Sequence, residues 1–276
     1  IPYWTIRLNI DFPYFWRGLM DLFSGVPAQP RIDHLTLSLS DADTSSPLGV
    51  SSQQERFVPP VTCYAAHSAT DNESLVKLVS SIFNESFGFR PDGRPYRMGP
   101  KSITERLLET DYLLVAGDDR SGIGYLFGKE IPSSQGRIAW IESMAVLPLY
   151  RRSGVATSLV RNFCSLTKMA PRFGFATPNP IAALIATREV QGKTYIGSCY
   201  PPFALRLLLK EIRQNCFDLR GCHIDEDHFR IRTGFSPLSR SDQREWCPRR
   251  NTPQPSWWTS LQHLPNEFEA LLVIEK

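Results

Sequence analysis

Val146-Leu147-Pro148-Leu149-Tyr150-Arg151-Arg152-Ser153-Gly154-Val155-Ala156 joins two segments of opposite periodicity through a short basic turn that contains glycine. Before it, Ile138 to Val146 are almost continuously apolar and β-prone, the pattern of a strand buried on both faces. After it, Val155, Leu159 and Phe163 recur at helical spacing, with Ala156, Val160 and Cys164 beside them. A helix to about Lys168 can therefore lay one apolar stripe on a sheet. The turn stands at that helix's N-terminus, where backbone N–H groups lack partners and the dipole is positive, so it is a candidate cradle for a phosphate.

Outward from this stretch, elements follow in a definite order. Val61 to Ala66 is an expected strand after Pro59-Pro60, and a helix is expected from about Asp71 to Phe87, capped by Asp71 or Thr70, with Leu75, Leu78, Val79 and Ile82 buried. A loop rich in Gly, Pro, Arg and aromatics (Phe87, Phe89, Arg90, Tyr96, Arg97) leads to a short helix, Ser102 to Glu109. Tyr112 to Gly117 and Gly122 to Ile131 read as strands joined at Asp118-Asp119-Arg120-Ser121. On the C-terminal side come a strand at Phe173 to Thr177 and a helix at Ile181 to Glu189 opened by Asn179-Pro180. A further helix is expected near Pro202 to Gln214, then polar loops, with Phe229 to Thr233 and Phe268 to Glu275 as candidate closing strands.

Arg151-x-x-Gly154-x-Ala156, preceded by Val146-x-Pro148-x-Tyr150, resembles the Arg/Gln-x-x-Gly-x-Gly/Ala signature of the GNAT superfamily of N-acetyltransferases. The order β-α-α-β-β-β-α matches that family over roughly residues 61 to 190. The resemblance implies a mixed α+β fold: the acyl-CoA N-acyltransferase fold, with a central, mostly antiparallel sheet flanked by helices. Residues 1–58 would be an N-terminal extension and linker, and residues 59–276 the acetyltransferase domain with an insertion at about 191–262. It also implies acetyl-coenzyme A as co-substrate, no metal, and direct transfer to the amine of a small molecule or peptide. Arg151, Arg152, Ser153, Gly154, Val155, Ala156 and Thr157 would meet the pyrophosphate. The backbone of Met144, Ala145 and Val146 would pair with the pantetheine arm and bond the thioester oxygen. Asn179 would be a further polar contact to the cofactor, or simply a helix cap.

Glu142 is the most pointed polar residue of the long strand. By period-two alternation it shares a face with Trp140 and Met144, and an acid there is costly to bury without a partner or a task. Desolvation would raise its pKa and suit it to act as general base, directly or through water. The competing role is a structural carboxylate paired to Arg137 or Arg151. The tyrosine that many relatives use as general acid has Ala186 at its position here, so Tyr195 or Tyr200 is the nearest substitute, with solvent as the alternative.

Composition excludes several classes. With 42% hydrophobic and 21% charged residues the chain is globular rather than disordered, and a net charge of +3 gives no general affinity for nucleic acid. Six scattered cysteines form neither a secreted-type framework nor a Cys-x-x-Cys zinc pair, although Cys216, Cys222, His223, His228 and Cys247 are residue types that could in principle gather around zinc. No apolar run is long enough for a membrane span, and Ile1-Pro2-Tyr3-Trp4 lacks a signal-peptide layout, so a cytoplasmic protein is expected. No nucleic-acid or membrane partner is expected, and a homodimer is allowed for. The aromatic segment Phe15 to Phe23, at helical spacing, suits docking. The alternative function is a degenerate member of this fold that binds or regulates without turnover.

Overall fold

The strand at Ile138–Val146 and the helix at Val155–Leu166 have the boundaries that periodicity sets, within two residues at the helix end. They sit in a computed structural model that describes residues 35–36, 59–88, 90, 92–118, 121–197, 202–235, 255–265 and 267–276, all belonging to one unit, Asp33–Lys276. In chain order the elements are β1 (Leu35–Thr36), β2 (Val61–Ala65), α1 (Ala66–Ala69), α2 (Glu73–Ser86), α3 (Pro100–Glu109), β3 (Tyr112–Ala116), β4 (Gly124–Ile131), β5 (Ile138–Val146) and α4 (Val155–Leu166). Then follow β6 (Arg172–Thr177), α5 (Pro180–Val190), β7 (Lys193–Ile196), α6 (Phe203–Asn215), β8 (His223–Asp225), β9 (Arg230–Phe235), a short helix Trp258–Gln262 and β10 (Glu267–Glu275).

One sheet runs in the order β1-β2-β3-β4-β5-β6-β10-β9-β8, with β7 also paired to β10. Every pairing is antiparallel except β5 with β6. This is the mixed, mostly antiparallel α+β sheet that the sequence implied. β6 lies along one edge of β10, while β9 and β7 share its other edge, at Glu267–Ala270 and Leu272–Glu275 respectively. Two closing strands were anticipated near their observed positions; β7, β8 and α1 are too short to leave a periodic signal.

Alternation along β5 separates the cores. Ala139 and Ile141 pack with Leu159 and Phe163 of α4, while Ile138 and Trp140 pack with Leu208 and Ile212 of α6. α2 and α3 close the remainder of that second face over Leu113, Tyr125 and Phe127. The α2 cap is Asn72, whose Oδ1 accepts from Leu75 N–H at 3.1 Å, not Asp71 or Thr70; Thr70 instead bonds His67 O. β1 pairs with β2 inside the stretch expected to be extension and linker. The rest of residues 1–58, with the aromatic segment Phe15 to Phe23, lies outside the described residues, as do Phe89, Cys199, Tyr200 and Arg244 to Arg250. Trp258 is buried, and Trp257 is half-buried against the core.

Candidate functional site

β5 and β6 run side by side only from Ile138–Arg172 to Ile141–Phe175. Beyond that pair, β5 continues to Val146 along β4, and β6 continues to Thr177 along β10. The two strands therefore part, leaving the β5 edge from Glu142 to Val146 without a partner on β6. Two helices begin at the same end of the sheet. α4 starts from Gly154, which stands at φ 95° and ψ −2°, a left-handed conformation that glycine adopts freely. Arg152 is also left-handed, at φ 67°, so the turn has positive φ at two of its residues. No side chain caps α4 and its first turn holds no acid, so its positive end is open to an anion.

The turn is braced from within. Ser153 donates to Tyr150 O at 2.6 Å, and the Arg151 guanidinium donates to Val146 O at 3.4 Å and Ser86 O at 2.9 Å, fastening the turn to the last residue of α2. Arg151 thus serves the turn's shape as well as its charge, and it does not meet Glu142. Arg152 is exposed. Asn179 is the α5 cap: its Oδ1 accepts from Ile181 N–H at 2.9 Å and Ala182 N–H at 3.3 Å, which leaves its amide nitrogen as the group able to donate elsewhere.

Glu142 occupies the point where the strands part, and a β-bulge puts it there. Phe127 pairs with Ser143 and Gly128 with Ile141, so Glu142 is the extra residue of β5. The bulge shifts the alternation beyond it. Met144 packs with the α4 core and Ala145 with the α2–α3 core, whereas Glu142 meets residues on the Trp140 face; the expected common face with Met144 is corrected. Its partner is Lys129 of β4, with Nζ 3.5 Å from Oε1, rather than Arg137, which pairs with Glu130, or Arg151. Phe217 N–H also donates to Oε1, at 3.3 Å, from the turn that follows α6. The Glu142 side chain is 2% exposed, and its Oε2 is buried without a hydrogen-bond partner.

Burial dominates the electrostatics of this carboxyl. It pushes the Glu142 pKa up to about 7, against the pull of Lys129 and with help from nearby Asp218. Asp218 is itself paired with Arg106 of α3, whose guanidinium lies 5.3 Å from the Phe217 ring centre, and Arg220 forms a second bridge to Glu109 at 2.7 Å. On β10, Glu269 is likewise pushed up to about 7 by burial, opposed by a hydrogen bond from Thr233. The Cys216 thiol is raised by burial and by Glu142, which makes it a poor nucleophile.

Tyr195 is not brought to this point. Its hydroxyl donates to Glu275 at 3.2 Å, and Glu275 pairs with Arg172, which is level with Ile138. That is three residues, about 10 Å along a strand, below the Ile141–Phe175 pair. Lys129 and the Asn215–Asp218 segment were missed from sequence. A lysine inside the mostly buried strand Gly124–Ile131 was a signal; the turn gave none, because nothing local connects it to residue 142. Among the described residues no group of His, Cys, Asp and Glu could hold a metal ion, and no helix is long and apolar enough to cross a membrane.

The sequence profile of the acetyltransferase (GNAT) family matches residues 75–175. No curated protein matches the chain. Similar solved structures include a GNAT-family acetyltransferase from Streptococcus pneumoniae, 14% identical over 51% of this chain and 90% of that one, with a TM-score of 0.36. The ribosomal-protein-S18-alanine N-acetyltransferase from Escherichia coli is 15% identical over 46% and 77%, with a TM-score of 0.34. An aminoglycoside acetyltransferase from an uncultured soil metagenomic sample is 20% identical over 40% and 71%, with a TM-score of 0.29.

Proposed function

We propose, from the match of residues 75–175 to the acetyltransferase (GNAT) family, that the protein is an acetyl-coenzyme A-dependent N-acetyltransferase passing its acyl group directly to an amine. The observation that carries this is the parting of β5 from β6, which leaves a strand edge unpaired among the described residues and ending at the uncapped, glycine-led start of α4. Such an edge accepts an extended amide-bearing chain as it would another strand, and the helix start accepts a pyrophosphate. Amides from Arg152 to Thr157, the Arg152 charge and the backbone of Met144 to Val146 would hold the coenzyme, with the Asn179 amide nitrogen in reach of the same end of the sheet. Bound there, its thioester supplies the activated acyl group.

Glu142 serves as general base in this proposal. A carboxyl with a pKa near 7 can hold or release a proton at working pH. Because Oε2 is shielded, the acceptor's proton reaches Glu142, directly or through water, only when a path to that oxygen opens. Tyr195 is engaged with Glu275, so solvent supplies the closing proton. Calorimetry with acetyl-coenzyme A tests the first half: Gly154→Trp should abolish binding, and absence of binding to the unaltered chain overturns the proposal. Thiol release in a screen of amino acids, polyamines, aminoglycosides and peptide N-termini tests the second half. One observation favours the alternative of a binding module without turnover, namely the sealing of Glu142 from solvent. Coenzyme binding with no thiol release across that screen would select it.

A further inference from the structure

Lys129 is almost buried, with 12% of its side chain exposed, yet its ammonium has three acceptors. Two are backbone carbonyls: Glu109 O at 2.7 Å and Asn215 O at 2.5 Å. Glu109 is the last residue of α3 and Asn215 the last of α6, so the cation sits where two helix C-termini converge, and each dipole favours positive charge there. The third acceptor is Glu142 Oε1, at 3.5 Å. Two hydrogen bonds to backbone carbonyls and one ion pair to Glu142 surround the ammonium. The two carbonyls place the cation beside the carboxylate.

Glu142 is held unequally in consequence. Oε1 receives both Lys129 and the Phe217 N–H, while Oε2, equally buried, receives nothing. We propose that Lys129 is the positioning residue of the acyl-transfer site: anchored by the ends of α3 and α6, it fixes Oε1 of Glu142 and leaves Oε2 as the oxygen that takes the acceptor's proton. This rests on the reading of Glu142 as base. The C-terminal insertion then belongs to the site, because α6 contributes the Asn215 carbonyl and the following turn contributes Phe217 N–H. The groups facing Glu142 are Lys129 from β4, Cys216 and Asp218 from that turn, and Arg220 behind them, with Arg106 of α3 neutralising Asp218.

The test is carbon-13 titration of the Glu142 carboxyl in the full chain, with its resonance identified by its absence in Glu142→Gln. Lys129→Gln keeps donors for the two carbonyls and removes the charge, so the Glu142 midpoint should rise by about 1–3 pH units. Lys129→Arg should keep the midpoint within about half a unit, because the charge stays. A midpoint unmoved in Lys129→Gln overturns the proposal. Should that variant not fold, the Lys129 nitrogen-15 resonance of the unaltered chain decides: it follows the Glu142 titration if the two are paired, and a flat response overturns the pairing. Failure of the base assignment is distinguishable, since Glu142→Gln would then retain full thiol release with acetyl-coenzyme A and an accepting amine whatever Lys129 does.

Discussion

Phe163 of α4 lies directly against Gly128 of β4: a Cβ built on Gly128 would fall 2.4 Å from the ring carbon Cε2 and 2.6 Å from Cζ. Gly128 is also the β4 partner of Ile141, the last β5 residue before the bulge. The bare backbone lets the ring reach the sheet, and the ring fixes the depth at which α4 and its N-terminal turn sit. Gly128→Ala should therefore overpack this contact and cost about 1–3 kcal/mol. Urea denaturation would show it, and adding Phe163→Leu should recover part of the loss; a Gly128→Ala protein as stable as the original would contradict the packing described.

Backbone hand at the α4 start gives a second expectation. Gly154 has φ 95°, where a side chain is strained, so Gly154→Ala should lose about 1–2 kcal/mol of stability. Arg152, at φ 67°, should respond in the opposite sense, with Arg152→Gly relieving strain by up to about 1 kcal/mol while weakening coenzyme binding through loss of charge. Thermal unfolding and calorimetry on the same pair of variants separate the two effects.

Stability should depend on pH in a defined direction. Glu142 and Glu269 are each pushed from an ordinary value of 4.5 up to about 7, so the folded chain retains protons that the unfolded chain releases. Their contribution is whole below about pH 4.5 and is lost as pH rises through about 7. Each group can supply a slope of at most about 1.4 kcal/mol per pH unit within that window. Denaturant titrations from pH 5 to pH 8 should show stability falling, by less in Glu142→Gln; the opposite slope, once other groups are matched by that variant, would contradict the burial of Glu142. Turnover should show an ascending limb near pH 7 that Glu142→Gln removes.

The turn over Glu142 depends on a charge pair. Arg106 and Asp218 keep 17% and 31% of their side chains exposed, so Arg106→Met should cost about 2 kcal/mol, below the roughly 3–5 kcal/mol of a fully buried pair. Adding Asp218→Asn should return most of it, because the unpaired carboxylate is then gone. A double variant no more stable than Arg106→Met would mean that the Phe217 ring contact, not the charge pair, holds the turn.

Lys129 and Glu142 show where local information stops. The order of elements and the handover from strand to helix were legible because each is written in spacing: continuous apolar residues at Ile138–Val146, helical recurrence at Val155, Leu159 and Phe163, and a glycine at the start of the helix, where φ is 95°. The Asn179 cap was legible for the same reason, since its bonds reach only two and three residues ahead. The Glu142 bulge was not, because a strand's own alternation carries no mark of an extra residue until a neighbouring strand is laid against it.

By itself, then, the sequence determined the strands, the helices and the glycine-led turn between β5 and α4, each written in spacing over a few residues, and through its family resemblance the mixed sheet they build. Tertiary structure decided the chemistry around the turn. It gave Glu142 to Lys129 rather than to an arginine, brought Phe217 from 75 residues away to cap the same carboxylate, and tied the Tyr195 hydroxyl to Glu275. Those pairings come from which elements share a face and at what height, and chain packing fixes both through the crossing of β5, β6 and β10 and the convergence of two helix ends on one ammonium.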